Sequence, residues 1–387
     1  QNMDRLIKSP SAATDAPFLL WPVARLEYYQ WLSLAALMPL FWGFMVFGFR
    51  ALGIVICFVS ASLLAYGGLA RLRTFNPRYR FNQNLTCTIV AAGLLCPLVP
   101  WYWALVCGIA TALLTWAGGL SERHRIHAGL LAPLLLMAVL PLPRQWPLLV
   151  VDRLFIGDID KAQQTPIYNW PTKPPAPNVD AVLLNPPDRA LHILLAKIAP
   201  DPGSVQAQTD LRDAFALNLP SPVDLIFGGV PGRIGTAALV IIILAGLYLA
   251  YRHILLPSAW AIFLAGVLFG LVFGPLGPHP FKDQFWQSLG GLWYLSPDHA
   301  VTLLFYELCS TDFIFASVFI LALPGTMPLE PHARWVFLAA AGIGAALIYR
   351  LDMPFPPATV MLLLLQPAAP LLDTLFHRRS WLLRDRP

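Results

Sequence analysis

The chain has 387 residues, 57% of them hydrophobic and 12% charged, with a mean hydropathy of +0.62. A soluble domain carries about 25% charged residues, so the composition excludes an ordinary water-soluble globule and specifies an integral membrane protein. The formal net charge of +5 is not read as a nucleic-acid signal, because membrane topology accounts for most of the positive residues.

In chain order, residues 1–29 are polar and mixed, without an apolar core and cleavage site. They read as a cytoplasmic segment with a surface helix near 18–29. Apolar segments follow at 30–49, 51–70, 85–99, 101–116 and 127–142, a first group spanning 30–143. After a polar, proline-rich stretch at 144–234 come 236–251, 254–273, 301–323, 335–349 and 355–371, a second group spanning 235–372. Residues 373–387 are left as a cytoplasmic tail. The fold class expected is therefore an all-α polytopic membrane protein with about ten transmembrane helices. Several segments fall short of the roughly 20 residues that cross the hydrocarbon core, and short, Pro-interrupted segments in matching places point to broken third and eighth helices. The two groups match in layout. Cys96-Pro-Leu-Val-Pro100 precedes Gly108-Ile-Ala-Thr-Ala-Leu-Leu114, as Leu323-Pro-Gly-Thr-Met-Pro328 precedes Gly342-Ile-Gly-Ala-Ala-Leu-Ile348. Five helices per repeat is odd, so the second copy would be inverted.

Positive charge tests that layout. With both termini cytoplasmic, fifteen Lys and Arg lie inside and three (Arg50, Lys282, Arg350) in short outer loops. Residues 144–234 then lie outside. Tyr168-Asn-Trp-Pro-Thr-Lys-Pro-Pro-Ala-Pro177 is extended, while 188–198 and 205–217 have the pattern of short amphipathic helices. A loop of 91 residues is usually functional or a docking surface, and a partner protein covering it is the preferred reading.

Within Phe305-Tyr-Glu-Leu-Cys-Ser-Thr-Asp-Phe313 two carboxylates fall inside the eighth segment. A carboxylate at membrane depth costs about 2.5–3.5 kcal/mol on insertion scales, which makes Glu307 and Asp312 candidates for an ion or proton pathway. The competing reading has Thr311-Asp312 capping a half-helix over 313–323, with Glu307 at the outer interface. Arg71, Arg73, Arg78 and Arg80, interleaved with Asn76, Asn82 and Asn84, read first as a positive-inside anchor and second as a phosphate or headgroup contact. His124 and His127 find no third partner at ligand spacing, so no metal is expected. Cys57, Cys87, Cys96, Cys107 and Cys309 all lie in apolar segments without a CxxC pair, and read as small buried hydrophobes. No P-loop, GxSxG or HExxH occurs, so no conventional catalytic residue is assigned.

Asp224-Leu-Ile-Phe-Gly-Gly-Val-Pro-Gly-Arg-Ile-Gly-Thr-Ala-Ala238, a turn feeding the sixth apolar segment, carries a resemblance. It is similar to the Asp-Leu-Phe-Leu-Gly-X-Ile-Pro-Gly-Ser-Ile-Gly-Glu-Thr-Ser string of the RnfD/NqrB family, the D subunit of the Rnf electron-transfer complex and the B subunit of the sodium-translocating NADH:quinone oxidoreductase. The region from Asp298 to Arg379 resembles that family too. The resemblance implies ten helices in two inverted five-helix repeats and a place in a multisubunit respiratory complex in the bacterial inner membrane. Partners would be other membrane and extracytoplasmic redox subunits, and no nucleic acid. The family attaches FMN to a Thr in an Asp-Ala-Val-Ser-Gly-Ala-Thr-like motif, and the matching place here reads Asp180-Ala-Val-Leu-Leu-Asn-Pro186. A phosphoester needs a hydroxyl, so covalent FMN is not expected, while a non-covalent flavin or quinone stays open. The family's Ser and Glu in the turn are Arg233 and Thr236 here, and Arg233 becomes a candidate outer-mouth contact for an anion or cofactor. The rival reading is a stand-alone small-solute channel or transporter of urea-transporter-like fold.

Overall fold

The computed structural model describes residues 25–71, 77–97, 99–118, 127–139, 203–215, 219, 222–228, 232–276, 290–351 and 355–384, with positions 191, 192, 194, 195 and 198. Arg73 of the arginine cluster, His124, and the segment Asp180–Pro186 lie outside them, while Arg78 and Arg80 fall in the first turn of a helix that begins at Pro77. Among the described residues every regular element is helical.

The first helix, α1 (Arg25–Ala70), is two arms. Gly48, at φ 74 and ψ −165, occupies a region of backbone space that is essentially reserved for glycine. Hydrogen bonding shows that the chain reverses there. α2 (Pro77–Gly93) sets Thr86 Oγ1 2.7 Å from Ser33 Oγ in the first arm and Thr88 Oγ1 2.8 Å from Ser62 Oγ in the second. In one straight helix Ser33 and Ser62 would stand about 44 Å apart, yet they meet α2 within two residues. The arms are therefore antiparallel and α2 touches both. This also explains why α2 starts at Pro77 and ends at Gly93 rather than covering the apolar run 85–99. Its buried Asn84, Thr86 and Thr88 meet the Ser62 and Ser33 hydroxyls of α1, and residues 77–84, which read as polar loop, are helix as well.

α3 (Trp101–Gly118) packs on α1, and a 3-10 turn (Ala128–Leu130) leads into α4 (Leu131–Val139). The second group holds α7 (Leu239–Tyr251), α8 (Pro257–Phe273), α9 (Pro297–Ser310), α10 (Phe313–Phe315) running into a π turn (Ala316–Ile320), and α11 (Pro331–Arg350). α12 (Pro357–Leu365) and α13 (Ala369–Arg384) close the chain, so much of the expected C-terminal tail is helix. Between the groups lie α5 (Val205–Asp213) and α6 (Pro222–Phe227). Pro begins α2, α6, α8, α9, α11 and α12, where its missing N–H is one that a first turn leaves unbonded anyway. These six prolines are thus helix starts rather than interruptions.

The closest-packed pairs are α1 with α3 and α8 with α11, and both use the same device. A Cβ on Gly108 of α3 would collide with the carbonyl oxygen of Phe58, and one on Gly342 of α11 with that of Phe263. Small residues let membrane helices approach to backbone contact. The two groups join where Trp31 of α1 meets Tyr248 edge-on at 6.0 Å and the Arg252 guanidinium covers Trp31 at 3.9 Å.

Among the described residues three helices are long and apolar enough to cross a membrane, Glu27–Ala70, Pro331–Arg350 and Pro357–Phe376, or four if Pro297–Ser310 and Phe313–Ile320, bent by 60°, count as one. The expected ten do not emerge by length, because Glu27–Ala70 is a hairpin counted once and Trp101–Ala117, Leu239–Tyr251 and Pro257–Phe273 are shorter apolar helices. The chain is an all-α polytopic membrane protein.

Gly48→Ala is expected to cost about 1–3 kcal/mol from backbone strain alone, measured by thermal unfolding in detergent. An unchanged melting temperature would mean that the reversal lies elsewhere.

Candidate functional site

The eighth apolar segment breaks at Thr311 between α9 and α10. A break in hydrocarbon frees backbone groups that water cannot reach, and the residues on either side decide what satisfies them. Glu307 comes one turn before it. Its carboxylate is fully buried and meets Arg350, the last residue of α11, itself 1% exposed. Nη1 lies 2.5 Å from Oε1 and Nη2 donates to Oε2 at 3.0 Å, a two-point geometry suited to a guanidinium. Arg350 also donates to the carbonyls of Leu276 (3.3 Å) and Leu271 (3.4 Å), so one side chain both neutralises Glu307 and bonds a carbonyl in the last turn of α8. Glu307 is thus inside the protein rather than at an interface. Arg350, read from the sequence as an outer-loop charge, is a buried member of a pair.

Asp312 follows the break. Of the expected Thr311-Asp312 cap, Thr311 Oγ1 accepts from the Phe313 N–H at 3.4 Å, while Asp312 makes no side-chain cap on its own short helix. Instead its carboxylate accepts from the Ala358 N–H (3.1 Å), the Thr359 N–H (2.9 Å) and the Thr359 hydroxyl (2.6 Å). These are first-turn donors of α12, where a negative charge also suits the helix dipole. Thr311 closes the corner, its Oγ1 donating to the Glu307 carbonyl at 3.1 Å. The two carboxylates therefore hold the break against two consecutive helix ends: Glu307 to the end of α11, Asp312 to the start of α12.

The segment beyond the break is buried on every face from Phe313 to Leu323. Ser317 accepts from Trp260 Nε1 at 2.9 Å. At its exit the Pro324 carbonyl lies 2.9 Å from His127 Nε2. A carbonyl only accepts, so that nitrogen carries the proton. The His127 backbone N–H donates to Gln366 Oε1 at 3.1 Å, so His127 ties the first group of helices to two points of the second.

Arg233 lies apart from this cluster, at a crossing over the end of α2. Ile234 and Gly235 donate their N–H groups to the carbonyls of Leu95 (3.0 Å) and Gly93 (2.8 Å). A Cβ on Gly235 would come within 2.6 Å of the Gly93 Cα, and the Phe315 ring lies against both glycines. This crossing is the reason for glycine at 235. The Arg233 side chain is half-buried and makes no hydrogen bond or ion pair among the described residues.

Sequence reasoning found both carboxylates but missed Arg350, Thr359 and His127 as their counterparts at the break and its exit. For Arg350 a signal existed: it was one of three short-loop cations on the disfavoured side. No grouping of His, Cys, Asp and Glu suited to a metal occurs among the described residues. Breaking the buried pair should leave an uncompensated charge. Glu307→Ala and Arg350→Leu are each expected to lower unfolding stability by about 3–5 kcal/mol, and the double variant by clearly less than their sum. A double-mutant cycle from thermal unfolding in detergent measures this, and additivity would show that the two groups are not coupled.

A family model described as the NQR2, RnfD, RnfE family matches residues 15–381, and no curated protein matches. The family comprises membrane subunits of multisubunit redox complexes. With the match covering nearly the whole helical chain, including the break and the glycine crossing, this protein belongs to the NQR2, RnfD, RnfE family.

Proposed function

We propose that this chain is a scaffolding membrane subunit of a respiratory electron-transfer complex and carries no covalent FMN. The observation that carries the scaffolding role is the state of the helix break. Glu307 is paired with Arg350 and Asp312 accepts three hydrogen bonds from α12, so both buried carboxylates are compensated by the chain itself and fix its shape. Family membership supports the complex. The absence of Ser or Thr within Asp180–Pro186 supports the lack of a phosphoester link. Non-covalent flavin or quinone remains compatible with this role. Arg233, half-buried beside the glycine crossing, is the residue proposed to receive an anionic group of a partner or cofactor.

The matching Gly108–Phe58 and Gly342–Phe263 contacts support two repeats of five helices, the second inverted. With Arg350 buried, the short outer loops keep only Arg50 and Lys282 against fifteen inner cations, which supports cytoplasmic termini in a bacterial inner membrane. A second reading, passage of an ion or proton past Glu307 and Asp312, is favoured by one observation: a charged pair sits fully inside the bundle at a helix break.

Extraction from native membranes in a mild detergent tests the role. The protein is expected to migrate with redox-active subunits, and its denatured band to show no flavin fluorescence. A fluorescent band would overturn the flavin assignment. Migration alone, with solute flux in proteoliposomes, would overturn the complex and favour the channel reading.

A further inference from the structure

The described parts of the segment between the two helix groups fold onto this chain's own bundle. Leu191, Leu194, Leu195, Ile198, Ala207 and Leu211 join Leu276, Leu292, Leu295, Leu303 and Tyr306 in a hydrophobic cluster distinct from the main core. α5 is built to stay there: Ser204 caps it by accepting from the Ala207 N–H at 3.1 Å, and its apolar side, Ala207 and Leu211, is buried while Gln206, Thr209, Arg212 and Asp213 face out. Two ring contacts fix the seat of this layer. Phe215 stacks on Tyr306 with centroids 5.3 Å apart and planes at 23°, and His192 lies 4.3 Å from Tyr349.

Those two tyrosines immediately precede the two members of the buried ion pair, Glu307 and Arg350. The layer therefore grips the backbone beside each charge. We propose that α5 with Phe215 and His192 is a lid on the Glu307–Arg350 pair, whose closure keeps the pair dry and whose opening admits water or a small ion to it. The physical reasons are the difference in surroundings and the size of the contact. The pair is wholly excluded from solvent, and charge attraction is strong only while water is excluded. Among the described residues the lid rests on a satellite cluster separate from the main core, through one short helix and the two ring contacts. Elements with few buried contacts are the ones that open locally without global unfolding. The lid holds whether the chain is a scaffold or a channel, so it stands apart from the function proposed above.

Leu303 is buried under the lid, one helical turn before Glu307 on the same face of α9. In a Leu303→Cys protein in membrane vesicles, a membrane-impermeant maleimide is expected to label residue 303 slowly. Adding Phe215→Ala and His192→Ala should raise that labelling about tenfold or more, while Cys107, 2% exposed in the main core, stays unlabelled. Equal labelling at 303 with and without the lid substitutions would overturn the proposal. If Cys107 becomes reactive and the variant has misfolded, hydrogen exchange on the unsubstituted protein decides. The amides of 205–213 and 303–310 are expected to open together and faster than those of 337–346, and lid amides as slow as those of α11 would equally overturn it.

Discussion

Hydrocarbon offers no hydrogen bonds, so a helix that stops inside the membrane must find partners for its free N–H and C=O groups within the protein. This chain stops helices repeatedly, and at several of these stops a distant segment supplies a partner. The end of α2 is bonded by Ile234 and Gly235, the start of α12 by Asp312, and the end of α8 by Arg350. The approach to α11 is bonded by Asp373, which accepts from the N–H groups of Leu329 and Glu330 at 3.1 and 2.9 Å. The exit of the buried segment is held by His127 at Pro324 and by the Tyr28 hydroxyl at Ala322. Each of these bonds joins residues far apart in sequence, so the terms that complete a helix are the ones that assemble the bundle.

The charged groups belong to the same scheme. Well-packed apolar side chains at both 307 and 350 would avoid burying two charges, and a buried ion pair often contributes little net stability against such a replacement. What Glu307 and Arg350 add is direction. A two-point guanidinium–carboxylate contact fixes the angle between α9 and α11 more narrowly than apolar packing can, and Asp312 fixes α12 five residues further on. Phe315 then lies against Gly93 and Gly235, which brings the break of the second group onto the end of α2 in the first. One short region, from Glu307 to Phe315, touches the ends of α2, α11 and α12.

Much of the frame was legible in the residues. Composition specified a membrane protein, the apolar runs located most of the helices, and the break near Thr311 followed from carboxylates within an apolar stretch. The resemblance carried by Asp224–Ala238 led to the right family. Errors came where burial inverted polarity. Arg78, Arg80, Asn82 and Asn84 made the start of α2 look like loop, although residues 77–84 are helix and Asn84 bonds the Ser62 hydroxyl. Arg350 looked like a loop charge because its partner, 43 residues away, leaves no local trace.

Sequence by itself therefore determined the solvent and the rough places of most helices, since apolar content, proline and glycine act on the chain locally. Only the tertiary structure decided what their ends bind. Asp312 has two sets of donors within reach of a reasonable argument, its own half-helix and α12, and nothing local separates them. The choice depends on which N–H groups would otherwise be left unbonded in a water-free interior, and that is known only once α12 is in place beside the break.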